Sequence, residues 1–213
     1  GLNVAQQAIA EDLGASQSQL LWVINGYTLV LAALLLPVGA IGDRWGRKPI
    51  LILGLVVFSA ANLASAFANT PEVLIGLRIV AGIGAAMIMP VTLAVITTSF
   101  PAHERARAVG TWAGVAGAGG ILGLLASAAI IDNATWPWVF AVPLALAGSA
   151  LVSTVIVVPH SREHTEAGFD IPGAVLSAVA VGGLVLGIHE GPERGWTDPL
   201  TVTGLAIGIV SAI

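Results

Sequence analysis

The chain has 213 residues, of which 56% are hydrophobic and 9% charged, and its mean hydropathy is +0.93. Soluble domains carry about a quarter charged residues, so this composition excludes a soluble globular protein and indicates a polytopic membrane protein. The net charge of −4 argues against a nucleic-acid partner, and the lack of cysteine excludes disulfides and cysteine metal sites.

Uncharged runs predict eight membrane helices, which gives an all-α fold. A full span needs about 20 apolar residues, whereas the first apolar run ends at Ala10 and the last begins near Leu200. We therefore expect a fragment that is cut within its first and last helices. The predicted helices cover residues 1–10, 19–41, 49–68, 73–100, 108–131, 138–158, 171–189 and 200–213, and the longer loops cover 11–18, 101–107, 159–170 and 190–199.

The basic residues predict the orientation of the helices. The loops after the second, fourth and sixth helices carry six basic residues, whereas the loops at the other end carry only Arg194. Cytoplasmic loops are enriched in lysine and arginine, so we expect the first set to be cytoplasmic in a cell (plasma) membrane. The six residues are Arg44, Arg47, Lys48, Arg105, Arg107 and Arg162.

The segment 39–49 is a short charged turn between two long uncharged runs. Asp43 closes the incoming helix, where its carboxylate opposes the negative end of the helix dipole unless a cation or a following helix compensates. Gly46 permits a sharp reversal, and Pro49 suits the first turn of the next helix. The charges predict either a latch or a loop that only sets orientation.

The pattern G-x-x-x-D-R-x-G-R-K in this turn resembles the signature loop between helices 2 and 3 of the major facilitator superfamily. The resemblance implies the N-terminal half of a major facilitator fold, with this loop as a cytoplasmic gate that holds two transporter halves together in the outward-facing state. The matching positions are Gly39, Asp43, Arg44, Gly46, Arg47 and Lys48.

Arg78 is the one formal charge within a predicted helix core. A charge at that depth is costly, so a functional role is the default hypothesis; the alternatives are snorkelling to the outer interface or pairing with Glu72. The surrounding residues resemble the helix 4 motif of the superfamily, which implies a role for Arg78 in proton coupling. Ala81 stands where that motif commonly has glutamine.

The fifth helix is rich in glycine, which predicts close approach of a neighbouring helix or bending. The segment 119–128 resembles the helix 5 motif of the proton antiporters, with Gly119 and Gly123 in place. Leu124 replaces the proline of that motif, so the kink residue is missing and export is less firmly implied.

Asn3-Val4-Ala5 and the segments 22–27 and 190–196 resemble the fourteen-helix drug:proton antiporters of the EmrB/QacA type. The acidic residue of the corresponding helix 1 motif would precede Gly1. In that branch, two extra helices lie between two six-helix halves. The resemblance therefore divides the chain into a six-helix half at 1–158, a cytoplasmic linker at 159–170 and a central helix pair at 171–213.

Two histidine patterns are given a structural interpretation. The segment His160–His164 fits an inverted zinc-protease motif, but it lies in a short linker with no evident third ligand. His189 and Glu190 are interpreted as a polar pair at the outer interface and not as a proton relay. We expect no metal, cofactor or catalytic residue.

The leading hypothesis is a proton-coupled exporter of drugs or small hydrophobic metabolites that works by alternating access with a missing C-terminal half. Its partners would be the substrate, protons and the lipid bilayer. The first alternative is a truncated, non-transporting remnant or partner-binding membrane protein. The second is an intramembrane enzyme, which would need polar clusters that Arg78 alone does not supply.

Overall fold

The computed structural model describes residues 2–158 and 170–212, and all the regular elements in these ranges are helical, which confirms the all-α prediction. A short 3-10 helix, Trp136–Phe140, precedes the sixth α-helix. The α-helices are α1 (Leu2–Leu13), α2 (Gln17–Trp45), α3 (Arg47–Ser65), α4 (Pro71–Ser99), α5 (Arg105–Asn133), α6 (Ala141–Val157), α7 (Ile171–Arg194) and α8 (Pro199–Ala212).

Six of the described segments are long and apolar enough to cross a membrane, namely α2, α3, α4, α5, α6 with its preceding 3-10 helix, and α7. Two contacts mark opposite ends of the bundle. Lys48 at the start of α3 donates to the backbone oxygen of Val155 near the end of α6, at 2.9 Å. Trp136 donates to Asp12 near the end of α1, at 2.6 Å. Helix α6 therefore runs antiparallel to α1 and to α3, as the predicted topology requires.

Helix α4 lies between α2 and α3 and packs extensively against both. Glycine allows this packing, because helices in lipid associate by close backbone approach. A Cβ atom at Gly82 would lie 2.7 Å from the backbone oxygen of Tyr27 on α2. One at Gly84 would lie 2.7 Å from the backbone nitrogen of Phe58 on α3. These two contacts fix the distances among the three helices.

The predicted bounds of the loop at residues 11–18 are wrong, because both flanking helices are longer than expected. Helix α1 continues to Leu13 and ends at Gly14, whose φ of 64° is in the left-handed region. Ser16 then caps α2 in a capping box, in which its hydroxyl accepts from the N–H of Gln19 and the Gln19 side chain accepts from the Ser16 N–H.

The predicted bounds of the loop at 190–199 are also wrong. Helix α7 passes through Pro192 and ends at Arg194, so that only residues 195–198 connect it to α8. Glu190 and Arg194, one turn apart, form an ion pair that stabilises this last turn. Smaller differences occur elsewhere: α2 continues to Trp45, and Arg105, predicted in a loop, begins α5.

Helices α7 and α8 form a hairpin that also packs on α2. A Cβ atom at Gly183 would lie 2.8 Å from the backbone oxygen of Gly204, and one at Gly182 would lie 3.3 Å from Cβ of Ala33 on α2. The predicted linker lies outside the described residues, apart from Asp170. The Asp170 carboxylate accepts from the N–H of Gly173 at 2.9 Å and caps α7.

The substitution Gly84→Ala tests the packing of α4 on α3. Its Cβ atom would meet backbone and not a movable side chain, so we expect a loss of about 1–3 kcal/mol in stability. Gly76→Ala is the matched control on the same helix, because a Cβ there meets nothing within 4 Å. Alanine favours a helix over glycine by about 0.5–1 kcal/mol, so the control should be neutral or slightly stabilising.

The measurement is the thermal unfolding midpoint of the complete gene product in detergent, followed by circular dichroism. Equal midpoints for the two variants would contradict the proposed tight contact between α3 and α4.

Candidate functional site

The charged turn, residues 39–49, contains a single non-helical residue. Gly46 ends α2 and caps the start of α3, with φ 110° and ψ 131°, a conformation that side-chain-bearing residues rarely adopt. The predicted sharp reversal at Gly46 is therefore made within one residue. Gly39 and Gly42 lie on the preceding turns of α2, against Pro90 and Val91 of α4.

Asp43 and Arg47 form an ion pair across this reversal. The Nε and Nη2 atoms of Arg47 lie 2.9 and 2.8 Å from Oδ1 of Asp43. The Arg47 side chain is 6% exposed and that of Asp43 is 42% exposed. The pair therefore joins a buried cation to a carboxylate that water can reach. The cation that Asp43 needs at the end of α2 is thus supplied by the first residue of α3.

The other two basic residues of the turn directly follow the members of this pair in sequence. Arg44 is in the last turn of α2, and Lys48 is in the first turn of α3. The Lys48 ammonium group binds the Val155 carbonyl oxygen, at the end of α6 where helix carbonyl groups lack intrahelical partners. The charged turn therefore ties together the ends of α2, α3 and α6.

Arg78 lies on α4 and points toward α2. Its Nε donates to the backbone oxygen of Val23 at 3.4 Å, and its guanidinium carbon lies 4.4 Å from the centre of the Tyr27 ring, a cation–π contact. Pairing with Glu72 is not observed among the described residues. Glu72 instead accepts a hydrogen bond from Gln19 at 2.6 Å. The cation is held within the bundle by an aromatic face and a carbonyl group.

Arg78 lines a cavity of about 560 Å³, called here the central cavity, between α1, α2, α3, α5 and the start of α6. Its apolar wall includes Phe58 and Phe140. A small number of polar groups in an apolar, concave wall is typical of small-molecule sites. The polar side chains that line it are Asn3, Tyr27, Thr28, Asn62, Arg78 and Ser127.

Sequence analysis did not identify Asn62 as part of this wall. Asn62, in the last turn of α3, is 1% exposed, and its Nδ2 donates to the backbone oxygen of Phe58 at 2.7 Å. The available signal was an amide side chain within an otherwise apolar span, which is a functional hint in a membrane helix. Tyr27 and Thr28 lacked such a signal, because their facing depends on the packing of α2.

No helix in the described part of the chain packs closely on the glycines of α5, contrary to the predicted close packing. A Cβ atom at any of Gly110, Gly114, Gly117, Gly119, Gly120 or Gly123 would meet nothing within 4 Å. In α5, which is described throughout, Ser127 alone is buried. Three of these glycines, Gly119, Gly120 and Gly123, line the central cavity. Their small size widens the cavity instead of tightening a helix contact.

The predicted pair of His189 and Glu190 is wrong, because the two side chains have different partners. The Nε2 atom of His189 lies 2.8 Å from Nδ2 of Asn25 on α2. Glu190, which is 2% exposed, pairs with Arg194 on its own helix. Neighbouring residues on a helix project in directions about 100° apart, so adjacency in sequence did not make these side chains partners.

Residues 1–213 match the Major Facilitator Superfamily. The chain is 34% identical, over 99% of its length, to the methylenomycin A resistance protein of Streptomyces coelicolor. It is 37% identical over 84% to the methyl viologen resistance protein SmvA of Salmonella typhimurium, and 35% identical over 99% to the multidrug efflux pump LfrA of Mycolicibacterium smegmatis. It spans 44%, 37% and 42% of these relatives, less than half of each.

The match covers the charged turn, Arg78 and the central cavity together with the whole helical framework. The chain therefore belongs to the Major Facilitator Superfamily, whose members are multi-pass transporters of the cell membrane and not enzymes.

Proposed function

We propose that this chain forms the N-terminal part of a proton-coupled exporter of drugs or small hydrophobic metabolites. The observation that carries the proposal is the central cavity, which combines an apolar wall, a few polar groups and one cation, Arg78. The names of three relatives, which refer to antibiotic resistance, methyl viologen resistance and multidrug efflux, support the choice of export and of this substrate class.

We further propose that residues 1–158 move as one wall of an alternating-access transporter, with 159–170 as a linker and 171–213 as the central pair of a fourteen-helix protein. Transporters of this kind bind substrate near the middle of the membrane and rock two halves around it. The packing of α4 against both α2 and α3 supports movement of this wall as a unit.

The charged turn is proposed as the cytoplasmic gate of this movement. Asp43 is partly exposed while its partner Arg47 is buried, so the carboxylate can also be approached by a group from the opposing half. Breaking this pair would remove a charge-assisted hydrogen bond from a buried cation, which carries a free-energy cost. The gate would therefore favour the state in which the Asp43–Arg47 pair is intact, until a new interaction replaces this contact for one of the two residues.

Arg78 is proposed to couple transport to protons. A cation in an apolar surrounding attracts negative charge, so it favours the ionised form of an acid that reaches the cavity. The helix 1 motif of the drug:proton antiporters, which Asn3-Val4-Ala5 resembles, contains such an acid. The contact between the Arg78 guanidinium group and the Tyr27 ring fixes the position of the cation, and both residues line the cavity.

The substitution Asp43→Asn tests the gate in the complete gene product. Asparagine keeps an oxygen for Arg47 but loses the charge, so we expect normal membrane insertion and at least about a tenfold loss of efflux, equivalent to about 1.4 kcal/mol. Efflux of ethidium from energised cells, normalised to protein in the membrane, is the measurement. Asp132→Asn is the matched control, because Asp132 is an exposed acid in the last turn of α5, away from the charged turn. Unimpaired efflux by Asp43→Asn would refute the gate.

Substitutions of Arg78 test proton coupling. Arg78→Leu should abolish ethidium transport driven by a proton gradient in proteoliposomes, yet retain movement of ethidium down its own gradient. Arg78→Lys keeps the charge but loses the planar contact with Tyr27, so we expect an intermediate rate. Gradient-driven accumulation at the wild-type level in Arg78→Leu would show that Arg78 does not couple protons to transport.

A further inference from the structure

A polar contact joins the central helix pair to α2 within the membrane-spanning part of the bundle. Nδ2 of Asn25 lies 2.8 Å from Nε2 of His189, and both residues belong to segments that are apolar enough to cross a membrane. In the neutral ring, Nε2 accepts from the amide N–H. When the ring is protonated, the amide can turn so that its oxygen accepts from the ring. The contact can therefore persist in both charge states of the histidine.

This contact borders a second, smaller cavity of about 80 Å³, called here the outer niche. Its polar wall consists of Asn25, Thr28, His189 and the indole of Trp22, and leucine and valine side chains complete it. A water molecule needs one probe-sized space, of about 10–15 Å³, and two to four polar partners. The outer niche has both the room and the partners for a short chain of water molecules.

Thr28 connects the outer niche to the central cavity, because it lines both. Asn25 and Thr28 are three residues apart and thus lie on one face of α2. The neighbouring residue Tyr27 lines the central cavity and stacks on Arg78. A sequence of polar groups therefore runs from His189, through Asn25 and Thr28, to the edge of the proposed transport site.

Among the side chains that line the outer niche, that of His189 alone carries a nitrogen that can both bind and release a proton. Helix α8, within its described bounds, carries no acidic or basic residue. Three charged groups near His189 in sequence have other partners. Glu190 pairs with Arg194, and Asp198 accepts from the N–H of Leu200 at 2.9 Å.

We infer that His189 binds a proton from the outer water and passes it, by way of the outer niche, to the central cavity. A proton binds to Nε2 as Asn25 turns its oxygen toward the ring. The same proton then leaves Nε2 for water beside Thr28, and the Asn25 amide turns its N–H back to the ring. One N–H bond forms and one breaks, so the imidazole ends as it began. This route would bring protons to the edge of the central cavity through the outer niche.

The inference rests on the proton coupling proposed above, and the substitution His189→Gln tests it. Glutamine retains an amide that can reach Asn25 but does not titrate. The complete gene product would be reconstituted in proteoliposomes, with the pH at the predicted outer face varied from about 5.5 to 8, the range in which histidine changes charge, and the other face held constant. The readout is the initial rate of gradient-driven ethidium transport.

We expect the wild-type rate to change several-fold over this range and the His189→Gln rate to lose most of that dependence. His103→Gln is the matched control, because His103 is exposed in the predicted cytoplasmic connection before α5 and should leave the profile unchanged. The double variant Asn25→Leu/His189→Leu replaces the polar pair by an apolar one, so its insertion does not depend on the hydrogen bond. It should be equally insensitive to outer pH.

Two results would overturn the inference, and they are distinguishable. In the first, transport by the wild-type protein is driven by a proton gradient, but His189→Gln and the double variant both keep its pH profile. In that case the route through His189 is wrong and the proposed function stands. If wild-type transport does not depend on a proton gradient, the proposed coupling is wrong, and the route fails with it.

Discussion

The close approach of α4 to α2 and α3 determines the rest of the structure. In lipid, helices gain little from burying apolar surface against one another, so association depends on backbone proximity and on polar contacts. Gly82 and Gly84 bring α4 against the backbones of Tyr27 and Phe58 on opposite sides. Tyr27 is thereby placed under the guanidinium group of Arg78, so the same packing that holds the bundle together also positions the cation in the central cavity.

Several charged groups in the described part of the bundle have a partner one helical turn away or on an adjacent backbone. Asp43 has Arg47, and Glu190 has Arg194, both four residues apart. Lys48 reaches the carbonyl group of Val155. Short connections of this kind limit the cost of taking charge out of water. Arg78 differs, because an aromatic face and a carbonyl group leave its positive charge without neutralisation by these two contacts.

Features that depend on local pattern were predictable from the sequence, and those that depend on long-range contact were not. The apolar spans, the reversal at Gly46 and the depth of Arg78 follow from composition and spacing. The contact between Asn25 and His189 joins residues 164 positions apart, which no periodicity reveals. The incorrect end of α7 has a different, local origin. Polar residues suggested a loop, whereas the pair of Glu190 with Arg194 makes them compatible with a helix.

The connection between α2 and α3 has a mechanical consequence. A loop of several residues would absorb a displacement of one helix by changing its own shape, whereas Gly46 offers two dihedral angles and about 3.8 Å of chain between successive Cα atoms. This connection has almost no length to spare. Tilting the end of α2 must therefore pull or rotate the start of α3, so the two helices move together as one bent unit with its bend at Gly46.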